Sequence, residues 1–212
     1  VMFRLPVSMD FEAACFMEPL GCAVRAVDRS HVLPGDRILV VGAGGMGLLI
    51  AQTLLVRGAE PVVADISATR LKLARALGVR TTIDTSCRPL AEAVAAPAGN
   101  GGPDGAILTV VTQAILADVQ RLLRSGGRLN IFAGPPEDAP LLLDFGDLYH
   151  RELAVFSTYS STPAALREAF QLLADGRVKV APLISHRLPL SAFDEGVRLQ
   201  REGGAIKVLF HP

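Results

Sequence analysis

Short apolar runs alternate along this chain with longer segments of helical periodicity. Arg37–Val41, Pro61–Ala64, Arg80–Ile83, Gly105–Val111 and Arg128–Phe132 are continuous runs rather than in-out alternations, which predicts strands covered on both faces. Leu153–Phe156 is a candidate sixth strand. Between the runs, Gly45–Arg57, Ser67–Leu77, Leu90–Ala96 and Ala114–Leu123 read as helices. Gly58 and Gly78 stand just past two of them as C-caps. Such an alternation predicts an α/β protein with a doubly wound parallel sheet and flanking helices. Right-handed crossovers then put the strand ends carrying Gly42, Asp65, Val111 and Ala133 on one edge.

The two ends of the chain read differently. Phe11–Arg29 is helical with Asp10 as N-cap, and Pro19 is expected to break or kink it. Ala13, Ala14, Met17, Ala23, Val24 and Val27 are its candidate core residues, and Cys15 and Cys22 are expected on the same buried face. Residues 97–103, rich in Gly and Pro, read as a flexible surface loop. After a helix over Pro163–Ala174, Leu183–Leu188 and Ala205–Phe210 are strand-like and flank a helix at Ser191–Gln200. These last elements either extend the sheet or belong to a second unit.

The chemistry concentrates where the first strand ends. Val41 runs into Gly42-Ala43-Gly44-Gly45-Met46-Gly47, a G-x-G-x-x-G turn that opens a helix. Asp65 closes the next strand at close to the spacing of about 20 residues that a dinucleotide fingerprint requires. Gly42 permits the tight turn, Gly44 lets backbone approach a pyrophosphate, and Gly47 lets helix and strand pack closely. The helix that begins near Gly45 aims free N–H groups and its positive dipole end at the phosphates. Asp65 is placed to accept hydrogen bonds from an adenosine ribose and disfavours a 2′-phosphate, so NAD is expected over NADP. The motif thus makes the sheet Rossmann-type. A methyltransferase-type sheet, which also has a Gly-rich first turn and an acidic second strand end, is the rival that the turn alone leaves open; a plain glycine turn is the other.

Composition narrows the partners. Lys and Arg number 21, as do Asp and Glu, so the net charge is zero, and no basic surplus points to nucleic acid or an anionic membrane. Half of the 212 residues are hydrophobic, enough for a sizeable core. The apolar stretch from Ile38 to Val56 is split by its glycines into strand and helix, so it is not read as a membrane span. Three cysteines without a C-x-x-C pair point to a reducing, cytoplasmic setting, and no signal peptide is visible at Val1. His31, His150, His186 and His211 have no metal-ligand spacing, and no Tyr-x-x-x-Lys follows Tyr159-Ser160-Ser161.

The order and spacing of several segments resemble the medium-chain, zinc-type alcohol dehydrogenase family, in particular its sorbitol and threonine dehydrogenase branch. They are Glu18-Pro19-Leu20 with Ala26-Val27, Pro34-Gly35-Asp36, the Gly42–Gly47 turn, Asp65 with Arg70-Leu71 and Leu73-Ala74, Leu123 to Arg128, Ile184 to Leu190, and Ala205 to Val208. The resemblance weighs against the methyltransferase reading. It implies NAD(P)-linked alcohol–ketone interconversion on a secondary alcohol or polyol, with a catalytic zinc in the complete enzyme. It also implies that residues 1–30 are connecting helices, 31–175 the dinucleotide-binding domain and 176–212 a segment returning toward a catalytic domain that lies outside this chain. The chain is then expected to bind cofactor without turning over.

Residue by residue, the resemblance places Glu18 at the zinc site, Arg70 near the adenosine ribose and Lys207 near the pyrophosphate. Thr109, Val110, Ala133 and Gly134 fall along the nicotinamide and its ribose. Read without it, Glu18 is a surface glutamate, Arg70 and Lys207 are solvated cations, and the strand ends are sheet core. Leu108 and Val111 stand where this branch often has a Glu and a Gly, so its substrates are not inferred. Relatives associate through the sheet edge, which implies a homo-oligomer with Ala154–Phe156 as the candidate edge. Two alternatives remain: a zinc-independent reductase of the quinone reductase kind, which Glu18-Pro19-Leu20 argues against, and a non-catalytic dinucleotide-binding or oligomerisation module.

Overall fold

The computed structural model describes residues 2–95, 101–135 and 140–212. Two helices lead in, α1 (Phe11–Ala14) and α2 (Met17–Arg29), followed by β1 (Arg37–Val41), α3 (Gly45–Val56), β2 (Glu60–Asp65), α4 (Ala68–Ala76) and β3 (Thr81–Asp84). The second half of the sheet comprises α5 (Leu90–Ala95), β4 (Gly105–Leu108), α6 (Gln113–Leu122), β5 (Arg128–Ile131), α7 (Phe145–His150) and β6 (Ala154–Ser157). The chain ends with α8 (Pro163–Ala174), β7 (His186–Pro189), α9 (Phe193–Arg201) and β8 (Val208–His211).

Strands β1 to β6 form one parallel sheet in the order β3-β2-β1-β4-β5-β6, the expected Rossmann-type doubly wound arrangement. The order reverses between β1 and β4, where Val41 pairs with Ala64 on one side and Leu108 on the other. That reversal opens a crevice beyond the strand ends, the usual place for a ligand in such sheets. Both faces of the sheet are covered. Ile38 and Val40 join a core with Leu20, Val24, Ile50 and Leu54, whereas Leu39 and Val41 join another with Ala93, Leu116 and Val119. Double coverage is why the strands read as unbroken apolar runs. Asn130, wholly buried in β5, fastens α2 to the sheet by donating from Nδ2 to Ala26 O and Ser30 Oγ at 3.1 and 2.9 Å, while its Oδ1 accepts from Thr158 Oγ1 at 3.1 Å.

Several expectations are corrected. The leading helix breaks at Cys15 and Phe16, not at Pro19; Pro19 lies in the first turn of α2, where no intrahelical N–H is needed. Asp10 does cap α1, its Oδ1 accepting from Ala13 N at 2.7 Å. Cys22 is buried but Cys15 is exposed, because the break ends α1 before it and turns it out. Strand β4 stops at Leu108 rather than Val111; Thr109 N still bonds Val41 O, and the chain turns away beyond it. Helix α7 was not foreseen; it buries no residue and so has no apolar periodicity, and its start is set by Asp144 capping Asp147 N. The tail forms a separate two-stranded parallel sheet, β7 with β8, and does not extend the main one. Most of the loop expected over 97–103, together with Ala96, lies outside the described residues. No helix among the described residues is long and apolar enough to cross a membrane.

Candidate functional site

The turn from β1 into α3 is built by close approach. Gly42 has φ +102°, and a Cβ there would lie 2.4 Å from Thr109 Oγ1. A Cβ on Gly47 would lie 1.8 Å from the carbonyl oxygen of Gly42, so only glycine lets the helix sit this close to the strand end. Gly44 differs: it is the N-cap of α3, offers no side-chain cap, and has nothing within 4 Å of where its Cβ would be. The first turn of α3 therefore begins, at Gly44, on open space at the positive end of the helix dipole, with no side chain capping its orphan N–H groups.

Asp65 anchors this turn from β2. The residue is buried, and its carboxylate accepts from Ala43 N at 2.6 Å and from Ser67 N at 2.7 Å. The first bond fixes the Gly-rich turn, and the second fixes the entry to α4, which Ser67 caps. Each oxygen keeps a further lone pair for a ligand hydroxyl. Gly42 N adds a bond of 2.8 Å to Ala64 O. Two neighbouring βα turns are thus tied together by a single carboxylate.

The remaining candidates lie on the same strand-end side or on the tail. Thr109 and Val110 follow β4, with Val110 48% exposed. Ala133 and Gly134 follow β5; Ala133 N bonds Leu108 O at 2.9 Å, and the space beside Gly134 is open. Arg70, on α4, reaches the tail, where Nη2 donates to Gly203 O at 3.0 Å. Lys207 sits just before β8, its Nζ 5.8 Å from the centroid of the Phe16 ring. Gly45, Met46 and Lys207 line one cavity of about 460 Å³ together with Phe16, Pro19, Val197, Gln200, Ile206 and Phe210. Sequence reasoning gave no functional part to Phe16, Val197, Gln200 or Phe210. Phe16 immediately precedes α2, Val197 and Gln200 lie on α9 and Phe210 on β8; these segments meet α3 only through tertiary packing, and the sole local signal was the Ile206-Lys207 pair.

Glu18 stands apart. It is exposed on the first turn of α2 and accepts from Cys22 Sγ at 3.1 Å. Burial, reinforced by the Glu18 carboxylate, pushes the Cys22 thiol up to about 12, which keeps it protonated at neutral pH. A catalytic zinc takes about three protein ligands. Among the described residues no group of three or more His, Cys, Asp or Glu could hold one, so these residues do not fit a zinc ion by themselves. The histidines are placed otherwise: the His31 ring packs edge-on against Phe156, His186 Nδ1 lies 3.0 Å from Ser185 Oγ, and His211 approaches Glu12 at 4.0 Å.

An uncapped, glycine-built helix start at the switch point of a parallel sheet defines a Rossmann-type protein. Comparison with known proteins makes the class specific. Residues 45–175 match the zinc-binding dehydrogenase family, and the chain belongs to that family. It is 29% identical over its full length to a sorbitol dehydrogenase of Halalkalibacterium halodurans, of which it covers 62%. It is 30% identical, again over its full length, to an L-threonine 3-dehydrogenase of Bacillus velezensis, covering 61%. The structure of a Sinorhizobium meliloti protein assigned as a zinc-binding dehydrogenase, bound to NADP, superposes with a TM-score of 0.91 at 30% identity, over 99% of this chain and 62% of that one. The chain thus spans about three fifths of the length of the relatives it matches.

Proposed function

We propose that this chain is the NAD(H)-binding part of a zinc-dependent dehydrogenase acting on a secondary alcohol or polyol. The observation that carries the reading is the free, uncapped first turn of α3, with open space at Gly44 and the Asp65 carboxylate beside it. The names of its relatives, sorbitol dehydrogenase and L-threonine 3-dehydrogenase, support the substrate class.

In this reading the pyrophosphate is held by the backbone N–H groups of Gly44, Gly45, Met46 and Gly47, with Lys207 supplying a countercharge. Asp65 and Arg70 serve the adenosine ribose. Val110, Ala133 and Gly134 border the nicotinamide end, with Thr109 behind them. When bound, the nicotinamide accepts a hydride from the alcohol carbon. Asp65 favours NAD, since a 2′-phosphate would meet its charge, although the Sinorhizobium relative carries NADP. Glu18 is assigned to the edge of a zinc site whose other ligands lie outside the described residues, so the chain by itself binds dinucleotide without turning over alcohol. Association of copies is assigned to the β6 edge at residues 154–156, because β6 is the last strand in the order of the main sheet. The setting proposed is cytoplasmic.

Titration of the chain with NADH and with NADPH, followed by cofactor fluorescence, tests the reading; the protein has no Trp to interfere. Saturable binding, tighter for NADH, is expected. Tighter NADPH binding would remove the specificity role of Asp65, and no saturation with either would overturn the cofactor assignment.

A further inference from the structure

Thr109 stands where the nicotinamide end is expected, yet its hydroxyl turns the other way. Oγ1 donates to Val41 O at 2.8 Å, and Thr109 N donates to the same oxygen at 3.0 Å. A second, longer contact of 3.4 Å joins Oγ1 to Gly42 O. Both acceptors belong to the residues that lead into the phosphate turn. The carbonyl of Gly42 is the group that Gly47 is shaped to clear, and Oγ1 itself would lie 3.4 Å from a Cβ on Gly47. Gly42 and Gly47 are buried, so losing one donor from this pair of carbonyls is costly even though Val41 O keeps the bond from Thr109 N.

The turn is therefore gripped from two sides. On the β2 side Ala64 O and the Asp65 carboxylate take its N–H groups. On the β4 side the Thr109 hydroxyl donates to Val41 O, with Gly42 O as a weaker second acceptor. We infer that Thr109 is a positioning residue for the phosphate cradle, acting through Val41 and Gly42, and that its side chain does not contact the nicotinamide. This inference rests on the dinucleotide reading and adds how β4 takes part in it. Leu108 offers no hydroxyl, and Val110 points an apolar side chain toward Gly42, its Cγ2 lying 3.2 Å from where a Cβ would be. The task therefore falls to Thr109 within this strand end.

The test compares NADH with ADP-ribose, which keeps the pyrophosphate and lacks the nicotinamide, on wild type, Thr109→Val and Thr109→Ser. Val is close to isosteric and β-branched, so it removes the hydroxyl and little else. Loss of about fivefold in affinity is expected for both ligands alike with Thr109→Val, the size of one net hydrogen bond. Recovery to within about twofold is expected with Thr109→Ser, which restores the donor. Weakened NADH with unchanged ADP-ribose would place the side chain at the nicotinamide and overturn the inference. Unchanged affinity for both, with only a lowered melting temperature, would make the hydroxyl merely structural and overturn it too. If Thr109→Val does not fold, Thr109→Ala carries the same comparison. Failure of the wild type to bind either ligand is a separate result that refutes the dinucleotide reading itself.

Discussion

The start of α3 and the β7–β8 tail face each other across one cavity, but they are held by different kinds of force. The turn at Gly42–Gly47 is fixed by backbone contacts that leave no room for a Cβ, by a buried carboxylate and by a threonine hydroxyl. The tail rests on the main core through Leu183, Ile184 and Leu209, and exposed side chains add ties near its ends. Arg187 forms a two-point pair with Glu12 of α1, both contacts at 2.7 Å, and Arg70 donates to Gly203 O. The first arrangement costs stability when altered. The second responds to salt and pH, as exposed ion pairs do. A ligand lying between them would rest on a cradle fixed by backbone contacts and be covered by a wall whose outer ties are exposed polar contacts.

Gly47→Ala should show the largest effect of that contrast. Its Cβ would lie 1.8 Å from a backbone oxygen that no rotamer can move. We expect a cost of about 3 kcal/mol or more and a fall in melting temperature on the order of 10 °C, read by thermal unfolding. Asp65→Ala comes next. It strands the N–H groups of Ala43 and Ser67, and should cost about 2 kcal/mol in chemical denaturation while weakening NADH. Gly44→Ala sharpens the distinction between fold and cradle. Its φ of −71° and open surroundings accept a methyl group, so stability should change by less than about 1 kcal/mol. Its NADH affinity should nonetheless fall, because the methyl group occupies the space meant for phosphate.

The smallest effect belongs to the tail. The Arg187 guanidinium holds the Glu12 carboxyl below its ordinary value of 4.5. A carboxylate whose folded value is depressed contributes stability above its unfolded value, and loses it as the pH falls through the folded one. Amide exchange in β7 and β8 should therefore speed up below about pH 4.5 relative to β1 and β4. Glu12→Gln should produce the faster tail exchange already at neutral pH. Equal acceleration throughout the molecule would break the comparison.

The same contrast explains what the sequence revealed. β1 at Arg37–Val41 and α8 at Pro163–Ala174 lie where expected, because a run covered on both faces and a Pro at a helix start are local signals. The glycines and Asp65 were legible for the same reason, each being demanded by the chain next to it. The partners of Asp65 were not, since nothing in its neighbourhood says that Ala43 N would be 2.6 Å away. Phe16, Val197 and Phe210 were missed because their place is set by packing between distant segments. Helix α7 was missed because it buries nothing, and the strand character of Leu183–Leu188 was read too early because Ala181–Leu183 forms a 3-10 turn.

The central claim is that dinucleotide phosphates sit on the first turn of α3. Backbone amide NMR of the labelled chain during an NADH titration tests it directly. The account predicts that the largest shift changes fall on Gly44, Gly45, Met46 and Gly47, with smaller ones at Ser67, Ile206 and Lys207. Changes concentrated elsewhere, with the Gly44–Gly47 amides unmoved at saturation, would contradict it.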